Sequence, residues 1–231
     1  MQQTATTGIA EPTSKMPNLS LVKSLSHLQE EQKHAEEVLL GSAGLSLGRG
    51  SVIEISGGAS SGKTSLSLTL LAKLTAAGEV CAVVDSANSF DPCSASLAGV
   101  RNENLLWVRC GGHLEKAFMS ADYLVQAKGF GAIWLDLNGL SSRQLRMVPK
   151  TYWYRYRTRI KDTPTLFLVT AEEHVTGSAS QQSFLFSREH TGWSGSGRFK
   201  LLREFHLKMH SQKGFYGEPF RNKIDMDYTE A

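Results

Sequence analysis

Gly57-Gly58-Ala59-Ser60-Ser61-Gly62-Lys63-Thr64-Ser65 is the stretch that decides the fold, because it satisfies the pattern G-x-x-x-x-G-K-[ST]. It follows the β-branched run 51–55 and leads into 65–74, whose apolar residues have helical spacing. A strand, a glycine-rich turn and a helix in this order are the context in which the pattern indicates a phosphate-binding loop. We predict that these nine residues bind nucleotide phosphates, with Lys63 on the β and γ phosphates and the Thr64 hydroxyl on Mg²⁺.

Outside the loop, apolar runs alternate with helical patterns. Strands are predicted at 80–84, 105–108, 131–135 and 165–169, and helices at 114–128 and over most of 140–161. Nearly all-apolar strands that alternate with helices indicate a parallel sheet covered on both faces. The segment 177–197 is rich in Ser and Gly and predicts a long loop, and 199–210 and 220–226 predict further strands. We expect an α/β fold with a mostly parallel sheet and antiparallel strands at its C-terminal end.

Three segments are predicted along the chain. Residues 1–18 are small and polar and predict a flexible arm. Residues 19–40 carry apolar positions at three- and four-residue steps, which predicts an amphipathic helix. This helix either covers its own domain or docks on a partner or a second copy of the chain. Residues 41–231 form the predicted nucleotide-binding core.

Composition sets limits on the class of protein. The 231 residues include 25 Lys and Arg against 22 Asp and Glu, a net charge of +3, which excludes heavily cationic tail proteins and acidic disordered ones. The three cysteines, Cys81, Cys93 and Cys110, have no C-x-x-C spacing and support neither a disulfide framework nor a zinc ribbon. No apolar run is long enough for a membrane span. The sequence thus predicts a cytoplasmic globular protein.

A carboxylate on a neighbouring strand is needed to hold the metal. Asp136 follows the apolar run 132–135 and Asp85 follows 82–84, so the motif shape alone leaves both as candidates. Either residue is equally typical of an ordinary cap or turn aspartate.

Three stretches, 52–65, 81–92 and 97–106, resemble the ATPase core of the RecA family in order and spacing. The resemblance extends from about residue 45 to about residue 222. It implies a RecA-like P-loop NTPase core that binds ATP and Mg²⁺, and it favours Asp136 over Asp85 as the metal residue. The sequence shows no counterpart of the extra domain that follows the core in RecA. We therefore expect the chain to be most similar to the short RecA-like ImuA group, accessory proteins of damage-induced translesion synthesis.

The resemblance also shows departures. Ala87 stands where the family has the glutamate that polarises the attacking water, and a methyl group cannot accept a proton. Glu172 and Glu173 follow the strand where the family has a glutamine that senses the γ-phosphate. A carboxylate near that phosphate repels it unless a metal or Lys lies between. The sequence therefore favours nucleotide binding over hydrolysis and predicts weak or absent ATPase activity.

The family's two DNA-binding loops are also altered. The first is shortened to 138–142, and the second, predicted at 172–197, carries Arg188, Trp193 and Arg198 among several acidic residues. Its aromatic residues either stack on bases or pack the loop onto its own domain. The run 152–161 interleaves aromatic and basic residues, which is typical of a nucleic-acid surface or of an inward aromatic face with a basic rim.

We predict a RecA-like, ATP-binding accessory protein of DNA repair, in an SOS-type response to DNA damage. Nucleotide would control recognition of a polymerase-associated or recombinase partner, with weak single-stranded DNA binding and self-association through the N-terminal helix. The alternatives are an active DNA-dependent ATPase of recombination and a P-loop phosphotransferase.

Overall fold

The structure is a computed structural model that describes residues 37–40, 44–194, 201–213 and 220–225. The strands in these ranges are β1 (Glu37–Leu40), β2 (Leu45–Gly48), β3 (Val52–Gly57), β4 (Cys81–Asp85), β5 (Leu105–Arg109), β6 (Ala132–Asp136), β7 (Leu166–Ala171), β8 (Gln182–Ser194), β9 (Leu201–Lys213) and β10 (Phe220–Asp225). The α-helices are α1 (Lys63–Ala76), α2 (Pro92–Leu97), α3 (Leu114–Ala127), α4 (Ser142–Arg146) and α5 (Thr151–Ile160). None of these helices is long and apolar enough to cross a membrane.

Eight strands form one sheet in the order β10-β9-β8-β3-β7-β6-β4-β5. The pairs from β8 to β5 are all parallel, whereas β9 pairs antiparallel with both β8 and β10. This arrangement confirms the predicted mostly parallel sheet with antiparallel strands at its C-terminal end. Strands β1 and β2 form a separate antiparallel pair.

Helices cover both faces of the sheet, as predicted. Side chains of the parallel strands alternate between two buried clusters. Ile53 of β3 belongs to the cluster that contains Leu70 of α1. The preceding residue, Val52, belongs to the cluster that contains Phe118 of α3 and Tyr156 of α5. Because both faces are buried, the parallel strands carry apolar residues at nearly every position.

The predicted helical segment 140–161 is two helices. A capping box at Ser141 and Gln144 begins α4, and α4 ends at Arg146. Pro149 lies between the helices, lacks a backbone N–H and disfavours helical conformation in the residue before it. The chain therefore restarts as α5 at Thr151.

The prediction of a long loop at 177–197 is wrong for most of that segment. Gln182–Ser194 form β8, which pairs with β3 on one side and β9 on the other. The chain between β7 and β8 is the connection 172–181, with a 3-10 turn at Gly177–Ala179. Phe184 and Phe186 enter the core on alternate positions of β8, and this burial overrides the Ser-rich composition around them.

The end of the predicted helix 19–40 is also different. Residues 37–40 form β1, and Val38 and Leu40 are buried while Leu39 between them is exposed. Two-residue alternation and pairing with β2 favour a strand here. The rest of that predicted helix, and the predicted arm 1–18, lie outside the described residues.

Candidate nucleotide-binding site

The glycine-rich loop connects the end of β3 to the start of α1 and needs glycine at two positions. A Cβ on Gly57, whose φ is 151°, would lie 2.2 Å from the carbonyl oxygen of Phe186 on β8. Gly62 has a φ of 91°, and a Cβ there would lie 2.7 Å from Cδ1 of Leu207 on β9. Strands β8 and β9 thus lie directly against the loop, and both glycines permit this close approach.

The loop opens onto the N-terminus of α1. This helix has 14 residues and no side-chain hydrogen bond at its N-cap, Gly62. In an α-helix the N–H groups of the first turn have no acceptor within the helix, and the helix dipole places partial positive charge there. The start of α1 is therefore suited to an anion such as phosphate.

Lys63 is held at the mouth of this loop. Only 5% of the residue is exposed, and its Nζ donates to the carbonyl oxygens of Gly57 and Gly58, the latter at 2.9 Å. Burial lowers the pKa of Lys63, and the charges of Glu172 and Asp136 partly oppose this effect. The ammonium group thus contacts the loop and is affected by the charge of two carboxylates.

Asp136 ends β6 and is 4% exposed. Its Oδ1 accepts from Thr170 Oγ1 at 2.8 Å, from the Asn138 N–H at 3.1 Å and from Asn138 Nδ2 at 2.5 Å, and its Oδ2 accepts from Ser89 Oγ at 3.2 Å. Burial raises the pKa of Asp136, while these hydrogen bonds act in the opposite direction. An oriented, poorly hydrated carboxylate of this kind suits a divalent cation or its water shell.

Asp85, the other candidate, ends the adjacent strand β4 but has a different environment. Its Oδ1 accepts from the Ser89 N–H at 2.9 Å, and its Oδ2 accepts from the Phe90 N–H at 3.0 Å and from Trp107 Nε1 at 3.2 Å. These bonds bind the carboxylate to the backbone that follows β4 and to the side chain of Trp107 on β5. Asp85 is therefore a capping aspartate, whereas Asp136 faces the loop.

A cavity of about 500 Å³ joins these groups, which is within the usual size range of small-molecule sites. Its lining includes every residue from Gly58 to Ser65, together with Asp136 and Asn138. Four lining residues carry ionisable charge: Lys63, Asp91, Asp136 and Glu172. The side chains thus supply one cation and three carboxylates, and the remaining positive potential comes from the backbone of the loop.

Two buried polar atoms in the lining lack partners and fit a Mg²⁺-bound phosphate group. Asn138 Oδ1 has no hydrogen-bond partner, and neither has Ser61 Oγ, whose residue is 3% exposed. Oxygen atoms of this kind, with the Thr64 hydroxyl and Asp136, are the ligands that Mg²⁺ prefers, directly or through water. Sequence reasoning missed Asn138, although an amide two residues after the strand-end aspartate is a usable signal. Among the described residues, no cluster of three or more His, Cys, Asp or Glu could hold another metal.

Ala87 and Glu172 bear on ATP hydrolysis in opposite ways, because Ala87 lacks a carboxylate and Glu172 supplies one. Ala87 is half-buried and does not line the cavity. A Cβ on Gly139, which does line it, would lie 3.4 Å from the Ala87 Cβ, so a methyl group stands next to the site at this position. Glu172 lines the cavity, and its carbonyl oxygen accepts from the Gly57 N–H at 3.2 Å. Glu173 instead accepts from Ser142 Oγ at 2.7 Å. Of the two glutamates, Glu172 belongs to the site.

Two of the three residues predicted on a DNA or partner loop lie on a strand instead. Arg188 and Trp193 both lie on β8 and are exposed, with Trp193 57% exposed and its Nε1 donating to Thr191 Oγ1 at 3.2 Å. Arg198 lies outside the described residues. The earlier aromatic residues Phe184 and Phe186 pack into the core, so they are not available for base stacking.

The aromatic and basic helix α5 has an inward aromatic face. Trp153 and Tyr156 are buried beside Phe118, and the Tyr156 hydroxyl donates to the Phe118 carbonyl at 2.7 Å. Arg155 and Arg159 both pair with Asp122 of α3, at 3.0 and 2.5 Å. The interpretation as a packed face with a basic rim is therefore confirmed.

A parallel sheet in which a strand, a glycine-rich loop and a helix follow one another defines the class of P-loop α/β proteins. Residues 24–142 match the family described as the RecA N-terminal domain. Since this match spans more than half of the 231 residues, the chain belongs to that family.

Curated relatives share part of this region. The chain is 39% identical over 100 residues to Protein RecA of Acinetobacter baylyi, a match that covers 43% of this chain and 28% of the relative. It is also 39% identical over 88 residues to Protein RecA of Borrelia duttonii, covering 38% and 24%. The match therefore spans about a quarter of the length of each relative.

Proposed function

We propose that this protein is a RecA-like, ATP-binding accessory protein of DNA repair. In this role, nucleotide occupancy sets a conformation that a protein partner recognises, and hydrolysis is weak or absent. The observation that carries the proposal is a cavity lined by the phosphate loop, Lys63 and Asp136. Beside its lining residue Gly139 stands the methyl group of Ala87, where a carboxylate that polarises water is expected.

Each part of the cavity has a task in nucleotide binding. The backbone N–H groups at the start of α1 and the Lys63 ammonium would hold the phosphates. Thr64 and Asp136 would hold Mg²⁺, with Asn138 Oδ1 accepting from a water of its shell. The cation would neutralise phosphate charge that the cavity, with its excess of carboxylates, does not balance by itself. Binding should therefore require the divalent cation.

The missing carboxylate supports slow hydrolysis. Loss of a positioned general base typically lowers a rate by about 10²- to 10⁴-fold. Binding without rapid turnover keeps one nucleotide state long enough for a partner to recognise it. This property suits a cytoplasmic accessory of the ImuA type, which acts through a polymerase-associated or recombinase partner after DNA damage.

One observation favours a second candidate, an active DNA-dependent ATPase. Glu172 lines the cavity and would replace the missing carboxylate if it orients water. A P-loop phosphotransferase would use the same cavity with a second substrate. Both alternatives require rapid consumption of ATP, which the accessory role does not.

Binding is tested by titrating Mg²⁺·ATP into the wild type, Lys63→Ala and Lys116→Ala. Lys116 is an exposed lysine on α3 and serves as the matched control. We expect Lys63→Ala to weaken binding by about 10- to 100-fold, because it removes charge-assisted hydrogen bonds, and Lys116→Ala to bind as the wild type does. Equal affinities in all three proteins would contradict the proposal.

Hydrolysis is tested on the same preparation with and without single-stranded DNA. We expect a turnover well below ~1 s⁻¹, the lower end of working enzymes, in both conditions. Turnover at or above that rate only with DNA would favour the DNA-dependent ATPase, and the same rate without DNA would favour a phosphotransferase or a free-standing ATPase.

A further inference from the structure

The position of Glu172 beside the phosphate loop is fixed by the backbone. Strand β7 pairs in parallel with β3 as far as Ala171, which lies opposite Ser56. The next residues, Glu172 and Gly57, continue this contact through a hydrogen bond from the Gly57 N–H to the Glu172 carbonyl. Glu172 is therefore held at the first residue of the loop and lines the cavity there.

The charge of Glu172 acts on the same ammonium group that the loop presents to phosphate. Lys63 donates to the carbonyl oxygens of Gly57 and Gly58. Burial lowers the pKa of Lys63, and the charges of Glu172 and then Asp136 act against this effect, Glu172 more strongly. The carboxylate thus offsets the positive charge of Lys63 and adds to the negative charge of Asp91 and Asp136 in the cavity. An anion that enters the cavity beside Lys63 therefore meets a less positive potential than the loop alone would give.

We propose that Glu172 is a specificity-determining residue that makes the site prefer a nucleoside diphosphate to a nucleoside triphosphate. The inference rests on the proposed nucleotide binding. The triphosphate carries an additional anionic group at the end of the chain that Lys63 contacts in such loops. Two like charges within about 6 Å change an equilibrium by about threefold even at the dielectric constant of water, and by more in a partly buried site.

Glu173 provides a control in the adjacent position. It carries the same charge, but its carboxylate accepts from Ser142 Oγ and is not part of the cavity lining. Replacing either glutamate by glutamine removes one charge at nearly constant volume. A change that depends on the cavity, and not on net charge, should therefore follow Glu172 alone.

The experiment is calorimetric titration of Mg²⁺·ADP and Mg²⁺·ATP into the wild type, Glu172→Gln and Glu173→Gln. In the wild type we expect the diphosphate to bind at least about threefold more tightly than the triphosphate. Glu172→Gln should tighten triphosphate binding by about threefold or more, with a smaller change for the diphosphate. Glu173→Gln should keep the wild-type ratio. The effect of Glu172→Gln should shrink as salt is raised, because salt screens exposed charges.

Each outcome decides the proposal. A Glu172→Gln protein that melts as the wild type does and keeps its ratio of affinities overturns it, as does an equal change in Glu173→Gln. Glu172→Ala provides a second variant, and a fall in triphosphate affinity in both variants would also overturn it. If the wild type binds neither nucleotide, the proposed function itself fails; if it binds both and Glu172→Gln has no effect, only this inference fails.

Discussion

Asp136 and Asp85 show how the surroundings of a single residue decide its role. Both end parallel strands at the same level of the sheet, paired directly with each other. Two backbone N–H groups and an indole N–H satisfy Asp85. Asp136 instead accepts mainly from side chains, those of Thr170, Asn138 and Ser89, and the last two line the cavity. A carboxylate bound by backbone donors stabilises a loop, and one held by side chains at a cavity remains available to a cation.

We expect Asp136→Asn to weaken nucleotide binding without lowering the free energy of unfolding. The amide oxygen can keep the bonds from Thr170 and Asn138, and the amide nitrogen can donate to Ser89 Oγ, so the network survives without a buried charge. Unfolding by urea should show equal or higher stability at neutral pH. Mg²⁺-dependent nucleotide binding should weaken by about 10- to 100-fold.

The same substitution has a pH dependence with a definite sign. Burial raises the pKa of Asp136 above its ordinary value, so over a range of pH above that value the folded protein binds a proton that the unfolded chain releases. The wild type loses stability as pH rises through the raised pKa, whereas Asp136→Asn does not. The stability difference between the two proteins should be smallest near pH 4 and grow towards neutral pH. A difference that is independent of pH would contradict this account of Asp136.

The side chain at position 87 is expected to control the rate of ATP hydrolysis. If the missing carboxylate limits hydrolysis, Ala87→Glu should raise ATP turnover, by up to about 10²-fold, while Ala87→Gln should not. Gly139 lies opposite, and its lack of a side chain leaves room for a longer group at position 87. The measurement is phosphate release at saturating Mg²⁺·ATP. Unchanged turnover with intact nucleotide binding would show that Ala87 does not occupy the place of the catalytic glutamate.

Among the elements, the β8–β9 pair has the most consequence for the site. The carbonyl of Phe186 on β8 and the side chain of Leu207 on β9 lie against Gly57 and Gly62, so these strands form a wall behind the phosphate loop. A loop that must keep several N–H groups aimed at one anion benefits from such support, because its own glycines favour many conformations. The strands therefore help to fix the loop.

A double-mutant cycle on Gly62 and Leu207 tests this support. Gly62→Ala should destabilise the protein by about 1–3 kcal/mol, because a φ of 91° is unfavourable for alanine and the new methyl group meets Leu207. Leu207→Ala removes the steric part but not the backbone strain. The double variant should therefore be more stable than the sum of the single effects implies. Urea unfolding measures this, and additivity within about 0.5 kcal/mol would show that Leu207 does not contact the loop as described.

Elements with a local pattern of apolar residues could be predicted from the sequence. Elements that form by pairing with strands far away in the sequence could not. The run 131–135 and the phosphate loop carry their signal locally, and both lie within a residue or two of the observed elements. Strand β8 forms by pairing with β3, more than 100 residues earlier, and with β9. Because its local sequence is rich in Ser, the sequence alone predicted a loop there. In the site, the roles of Asp136 and Asp85 differ through hydrogen bonds that no spacing encodes.

For the whole molecule, charge and its neutralisation decide what the protein can bind. The net charge is +3, and α5, the most basic of the helices that the structure describes, uses much of its charge in contacts within the protein. Arg155 and Arg159 pair with Asp122, and Arg157 donates to the carbonyl oxygen of Ser178 at 3.1 Å. The protein therefore has few cations in this helix to neutralise a phosphate backbone, which supports recognition of a protein partner over tight DNA binding.

This balance of charge predicts weak single-stranded DNA binding with a shallow dependence on salt. Each neutralised phosphate contributes about 0.7 to the slope of log affinity against log salt, so two or three contacts give a slope of no more than about 2. Fluorescence anisotropy at several salt concentrations measures the slope, and a variant that lacks residues 1–36 serves as the comparison. The deletion should end there because Val38 and Leu40 of β1 are buried in the core. Sub-micromolar affinity with a steep slope in both proteins would contradict the partner-centred role, since residues 37–231 would then bind DNA through many phosphate contacts of their own.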